Sequence, residues 1–352
     1  AILRALELQK GDEVLLQAFT CNAVPNPVLW EGLKPIYVDC REDDFNMDAE
    51  DLEKHITPQS RAVIVQHTFG LAANIERIQQ VCDKHNLILI EDCAHALGAT
   101  YKGKKVGAYG KAAFFSFSRD KAISCVYGGM AVTSDPVLAE KLAAEQQNMS
   151  NPSLLWIFQQ LLHPLFMSLI LPTYKVGGKY ILIVLQQLSI LSKAVHQREK
   201  KGIKPRYFPH ALPNALAVLA ICQLQKIDRF NEHRKRIAIV YKKELGDRYA
   251  MPKEFKERGH MFLRFPVRDA AAHGMIRKAW DKNMLIGDWY SSPVVPHDTQ
   301  LDRVGYKKGS CPVAEKLAEE TLNLPTHINM KEEDIQEVIQ YMKSYGNSKD
   351  TE

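Results

Sequence analysis

No two cysteines in this 352-residue chain stand at Cys-x-x-Cys spacing, and their number, seven, is odd. That argues against a disulfide framework and against a zinc site, and it suits reduced thiols in a cytoplasmic protein. Charge of one sign is also scarce. The formal balance of +5 is too mild for a chain this long to call for nucleic acid. No cleavable leader is visible. The opening, Ala-Ile-Leu-Arg-Ala-Leu-Glu-Leu, has neither an initiating methionine nor a helix cap and reads as the tail of an amphipathic helix. It predicts a domain whose start lies upstream. What is present, 46% hydrophobic and 25% charged residues, suffices for a large core and more than one lobe.

Short apolar runs alternate with helical patterns from the start. Strands are expected at 13–19, 35–38, 62–66, 87–90 and 112–117, and helices at 24–31, 48–55 and 75–85. Such alternation specifies an α/β architecture with a mostly parallel sheet covered by helices on both faces. Three runs end in polar groups, at Thr20, His67 and Asp92, which places those groups on one rim if the strands lie side by side. After residue 260, strands at 261–265 and 285–290, a helix at 270–282 and a last helix at 332–345 predict a smaller α/β lobe. The expected divisions are a large domain over 1–150, an insert over 151–206, and a linking helix with the small C-terminal domain over 207–352.

The stretch 87–130 organises the chain. One apolar run ends in Glu91-Asp92, and another ends four residues before Lys121. Charged groups at the carboxyl ends of buried strands line the crevice where open α/β folds bind ligands. One lysine, one carboxylate and a nearby serine suit pyridoxal phosphate (PLP). The lysine holds the cofactor's aldehyde, the aspartate partners the protonated ring nitrogen, and Ser116 with Gly128-Gly129 offers donors to phosphate. Taken singly, each has a plainer reading: a solvated lysine, an aspartate in a turn, a serine satisfied within its sheet.

The motifs Glu-Asp-x-Ala-His-Ala-x-Gly-Ala, Tyr-Lys-Gly-Lys-x-Val-Gly, Phe-Ser-Phe-x-x-x-Lys and Gly-Gly-Met-x-Val-Thr resemble the active-site core of the DegT/DnrJ/EryC1/StrS family. The likeness covers most of 11–148 and 212–345. It implies PLP fold type I, with Lys121 catalytic and Asp92, His95, Ser116, Thr20 and His67 around the cofactor. His95 would lie near the phenolic oxygen or the ring face, with Thr20 and His67 as lining residues. The resemblance further implies a homodimer and amino transfer from an amino acid, by analogy glutamate, to a keto-sugar on a nucleotide carrier. Relatives that dehydrate sugars carry histidine at the lysine position, so Lys121 favours transamination. Three departures stand out. The phosphate-binding loop of the family falls before Ala1, its aromatic residue after Thr20 is Cys21 here, and its phosphate-reaching Asn falls near Pro209. A non-catalytic regulatory protein on the same fold is the rival reading.

The apolar runs 154–172 and 180–191 fit no catalytic motif. The first carries Gln159, Gln160, His163 and Pro164 at its centre and the second is short, so neither makes a convincing span. Lys193, Arg198, Lys200, Lys201, Lys204 and Arg206 follow. Two readings stay open: a hairpin lying peripherally in a membrane interface and held by anionic lipid, or one packed on its own domain or a second subunit.

Overall fold

The computed structural model describes residues 1–188, 190–192, 195–205 and 208–346; of the basic flank, Lys193 and Arg206 lie outside them. Six strands form the central sheet: β1 Glu13–Gln17, β2 Lys34–Val38, β3 Ser60–Gln66, β4 Ile88–Asp92, β5 Ala112–Ser116 and β6 Gly129–Val132. Their order is β2-β1-β3-β4-β5-β6, parallel except for the edge strand β6, which runs antiparallel to β5. Strands such as Glu13-Val-Leu-Leu-Gln are buried along their whole length, as parallel strands covered on both faces must be.

Successive side chains on a strand point to opposite faces, so each strand feeds two cores. Val63, Val65, Leu89 and Ala113 pack toward helix α1, Ile75–Lys84. Asn74 caps that helix by accepting from the Arg77 N–H, and its buried stripe Ile75, Ile78, Val81 and Cys82 recurs at helical spacing. Leu16, Ile64, Ile90 and Ala112 face the other way, onto a core that includes Ala314 and Leu317 from the helix Pro312–Glu320. A third core, around Tyr241, Phe265, Met275, Leu322 and Met342, holds the smaller lobe together.

In that lobe the ladder is β7, Phe265–Arg268, antiparallel to β8, Thr321–Leu324. The strands expected at 261–265 and 285–290 are therefore corrected. Residues 261–264 are irregular, and in 285–290 only Gly287 bridges, to Asn323. The second run is apolar because Trp289 and Tyr290 leave the small lobe and bury in an aromatic cluster against the main sheet. Just beyond them, Val294–Val295 pairs in parallel with Thr20–Cys21 and anchors the crossing.

The insert folds as helices α2, Leu154–Ile170, and α3, Lys179–Gln187, joined through a turn at Tyr174–Gly178. Among the described residues no helix is long and apolar enough to cross a membrane. Helix α4, Asn214–Leu224, leads into α5, Ile227–Leu245, which carries the smaller lobe.

Candidate active site

β4 and β5 are neighbours, with Asp92 in register with Phe114, so Asp92 and Ser116 emerge on the same face at the carboxyl edge of the sheet. Past Ser116 the chain turns tightly and brings Lys121 back over that edge. Lys121 Nζ lies 3.2 Å from His95 Nε2, 3.6 Å from Asp120 Oδ2 and 4.7 Å from the Trp289 ring centre. The amine is almost enclosed, at 9% side-chain exposure.

Burial sets the charge states around it. The buried Asp92 carboxyl is lifted above its ordinary range by desolvation, and the Lys121 charge draws it partly back. Its Oδ1 accepts from the Ala94 N–H at 2.9 Å; Oδ2 has no hydrogen-bond partner among the described residues. His95 is held neutral, well below its usual pKa, first by burial and then by Lys121. A neutral ring whose Nε2 accepts from the lysine carries its proton on Nδ1, and Nδ1 is buried without a partner. Asp120 is the counter-case. Burial opposes its charge, but Lys121 and Arg264 outweigh it and hold the carboxyl down at about 2.

These residues fit PLP. A desolvated carboxyl short of a cation suits a protonated ring nitrogen, and an orphaned imidazole N–H suits an oxygen on the ring. Ser116 Oγ pairs with Ser118 Oγ at 2.7 Å on the half-buried edge, a two-hydroxyl site of the kind a phosphate takes.

Of the sequence-predicted lining residues, His67 is corrected and Thr20 is found already partnered. His67 lies one residue past the end of β3 and, by the alternation along that strand, turns to the opposite face of the sheet from Asp92. Its Nε2 lies 3.3 Å from Glu91 Oε2, while Nδ1 accepts from the Ala73 N–H. Thr20 is on the correct side, but its hydroxyl is spent on Gln66 Oε1 at 2.6 Å, clasping two strand ends together. Glu91, His67 and Cys93 lie close enough to hold a metal ion, yet the Glu91 oxygens already accept from the N–H groups of Gly107, Tyr109 and Gly110. The trio is structural.

Four participants escaped the sequence reading. Asp120 and Arg264 pair at 3.3 Å, with Arg264 4.9 Å from the Trp289 ring centre. Trp289 tilts against His95, and Tyr290 stacks on His95 with ring centres 5.9 Å apart and planes at 18°. Tyr290 also packs on Phe19 and Phe69. Cys21 lies near enough to feel Lys121 and Tyr290, with burial lifting its thiol to about 11. For Arg264, Trp289 and Tyr290 no local pattern existed, since they arrive from irregular segments about 140 to 170 residues beyond Lys121; the acidic residue just before the lysine was the one available signal.

Enclosure of His95 makes acid costly for the protein without added cofactor. The ring binds a proton near pH 6.5 when unfolded and only at much lower pH when folded. The stability this contributes is therefore complete above about pH 6.5 and is lost, at up to about 1.4 kcal/mol per pH unit, as pH falls below it. Denaturant unfolding at pH 7.5 and 5.5 is expected to show a smaller loss for His95→Gln than for wild type; equal losses would show that His95 is not held neutral.

The model of the DegT/DnrJ/EryC1/StrS aminotransferase family matches residues 1–343. A pleiotropic regulatory protein of Geobacillus stearothermophilus is 31% identical, over 97% of this chain and 81% of its own length. A GDP-perosamine synthase of Caulobacter vibrioides is 29% identical, over 96% of this chain and 80% of its own. Among solved structures, the PLP-form of a sugar aminotransferase described as putative, Spr1654 of Streptococcus pneumoniae, superposes with a TM-score of 0.76 at 22% identity, covering 99% of this chain and 84% of that one. A fold matched end to end and a family model matched over nearly the whole chain agree with the geometry at Lys121 and Asp92: the chain belongs to the DegT/DnrJ/EryC1/StrS aminotransferase family.

Proposed function

We propose that this protein is a PLP-dependent aminotransferase that moves an amino group from glutamate to a keto-sugar on a nucleotide carrier, working as a cytoplasmic homodimer. The observation that carries the reading is the cluster at the carboxyl edge of the sheet, where Lys121 lies 3.2 Å from the His95 imidazole and its charge acts on the buried Asp92 carboxyl. The substrate class follows the GDP-perosamine synthase relative, and the cofactor follows the PLP-form neighbour. The exposed stripe Val218, Ile221 and Leu224 on α4 supports assembly, since apolar surface of that kind is usually covered.

PLP, when bound, supplies an aldehyde that carries nitrogen and a ring that takes up the electron pair of the substrate carbon. Everything else falls to the chain's own groups. Asp92 gives the ring nitrogen an anion in a dry setting, where a charge pair is strong. The Ser116 and Ser118 hydroxyls hold the phosphate. His95 Nε2 accepts from Lys121 Nζ and so aims the amine that takes and returns the substrate proton. Trp289 roofs Lys121 and keeps water off it, and Arg264, whose Nε is buried without a partner, is the cation for a donor carboxylate.

A second reading, a regulatory protein on the same fold, is favoured by the name of the 31% identical relative. One experiment separates the two. Adding PLP is expected to give visible absorbance, which glutamate bleaches as nitrogen passes to the cofactor and a nucleotide-linked keto-sugar restores. Protein that stays colourless with excess PLP would favour the regulatory reading.

A further inference from the structure

The insert turns an apolar stripe to solvent while burying a polar side chain. Gln160 on α2 is sealed from solvent, its Oε1 accepting from the Ser192 hydroxyl at 2.7 Å, and Arg119 donates to the same serine. Leu154, Leu155, Phe158, Leu165 and Leu169 point outward, with Leu154 84% and Leu169 71% exposed. At 100° per residue, Leu154, Phe158, Leu165 and Leu169 fall within an arc of about 60° and form one stripe. Helix α3 buries nothing and exposes Tyr180, Ile181 and Val184, with Leu188 exposed just past its end. Ile170 and Leu191 are buried and Trp156 and Leu161 pack inward, yet the outward stripe is as apolar as that inner face, which is unfavourable in water and is the pattern of a surface whose solvent is apolar.

Charge says which apolar solvent. From residue 151 to 198 there is no aspartate or glutamate, against Lys175, Lys179, Lys193 and Arg198. At the hairpin turn a cavity of about 550 Å³ lies between Tyr174, Lys179 and Tyr180 and the small lobe's Arg277, Trp280 and Asp281. Lys278 and Lys282 stand on that same small-lobe face. Cations mixed with amphipathic aromatics beside an apolar stripe are what headgroup depth selects. A second copy of the chain meeting this face about a twofold axis would bring mostly cation against cation, with no acid between residues 151 and 198 and Asp281 alone among the acids of the cavity lining to pair them.

We infer that the outward faces of α2 and α3, rimmed by Lys179 and Arg277, dock this protein on an anionic lipid bilayer surface without crossing it. Flotation with vesicles tests this on the full chain. Binding to phosphatidylcholine vesicles containing phosphatidylglycerol is expected to exceed binding to phosphatidylcholine alone at least tenfold and to weaken as salt shortens the screening length. Leu165→Glu/Leu169→Glu should abolish flotation while circular dichroism and gel-filtration elution stay as in wild type, and Lys179→Glu should weaken it severalfold. Three results would overturn the inference: wild type left unbound by anionic vesicles, a double variant that still floats, or a double variant that elutes as a smaller species, marking this face as a subunit contact.

Discussion

Lys121→Ala is expected to lower amino transfer at least a thousandfold while the protein stays folded. Two effects combine in that figure. The amine holds the cofactor in place, and the same nitrogen moves the substrate proton, a role worth about 100-fold to 10,000-fold by itself. No other described lysine lies at this carboxyl edge within reach of His95, so the loss has no neighbour to make it good. Stability should change little, because Lys121 is enclosed with a partly desolvated charge, and what removing it costs, its bond to His95 and its contacts to Asp120 and the Trp289 ring, is offset by no longer burying that charge. Lys121→Arg should be equally inactive. A guanidinium keeps the positive charge and the Asp120 contact but never yields a free amine or gives up its proton. The measurement is the glutamate half-reaction followed by absorbance, with circular dichroism as the folding control. Activity within tenfold of wild type in either variant would remove Lys121 from the chemistry and the proposed function with it.

How much of this was legible before the fold is clear from individual residues. Asp92 and Lys121 were legible because each sits where a local apolar run ends, and local runs are what sequence patterning reports. His67 was placed on the wrong side because a strand-end position fixes an edge but not a face; one residue of parity turned it to Glu91. Arg264, Trp289 and Tyr290 were invisible because they reach the site only when the smaller lobe folds back, and nothing in 285–290 distinguishes a strand from a coil that buries two aromatics. The insert was legible as an apolar hairpin, but that Gln160 would be sealed inside it beside Ile170 depends on Gln160 and Ser192 meeting across 32 residues. Glu91 was read only as the residue beside Asp92 at the end of an apolar run; the structure gives the two opposite jobs.

That division yields the largest stability effect expected for this chain. Glu91 is fully buried and accepts from Gly107 N at 2.7 Å, Tyr109 N at 2.7 Å and Gly110 N at 2.8 Å, besides its contact with His67. Burial alone would raise its pKa, yet His67 and these donors bring it below the ordinary value, so the folded state prefers it charged. Glu91→Ala strands three backbone donors at about 1–3 kcal/mol each, a loss on the order of 5 kcal/mol against a total of about 5–15. Asp92 is the reverse. It accepts a single bond, from Ala94, and burial makes its charge a burden that raises its pKa. Asp92→Asn keeps that bond through Oδ1, so the folded protein should be as stable as wild type or steadier by about 1 kcal/mol. Its amino transfer should nevertheless collapse, since a neutral amide gives a protonated ring nitrogen no counter-charge. Denaturant midpoints and the glutamate half-reaction, measured on both variants, should therefore diverge. Asp92→Asn would be stable and inactive, and Glu91→Ala would unfold at low denaturant. Equal destabilisation of the two would mean that Asp92 is as structural as its neighbour, and the charge it holds at the sheet edge would then have no claim to be part of the site.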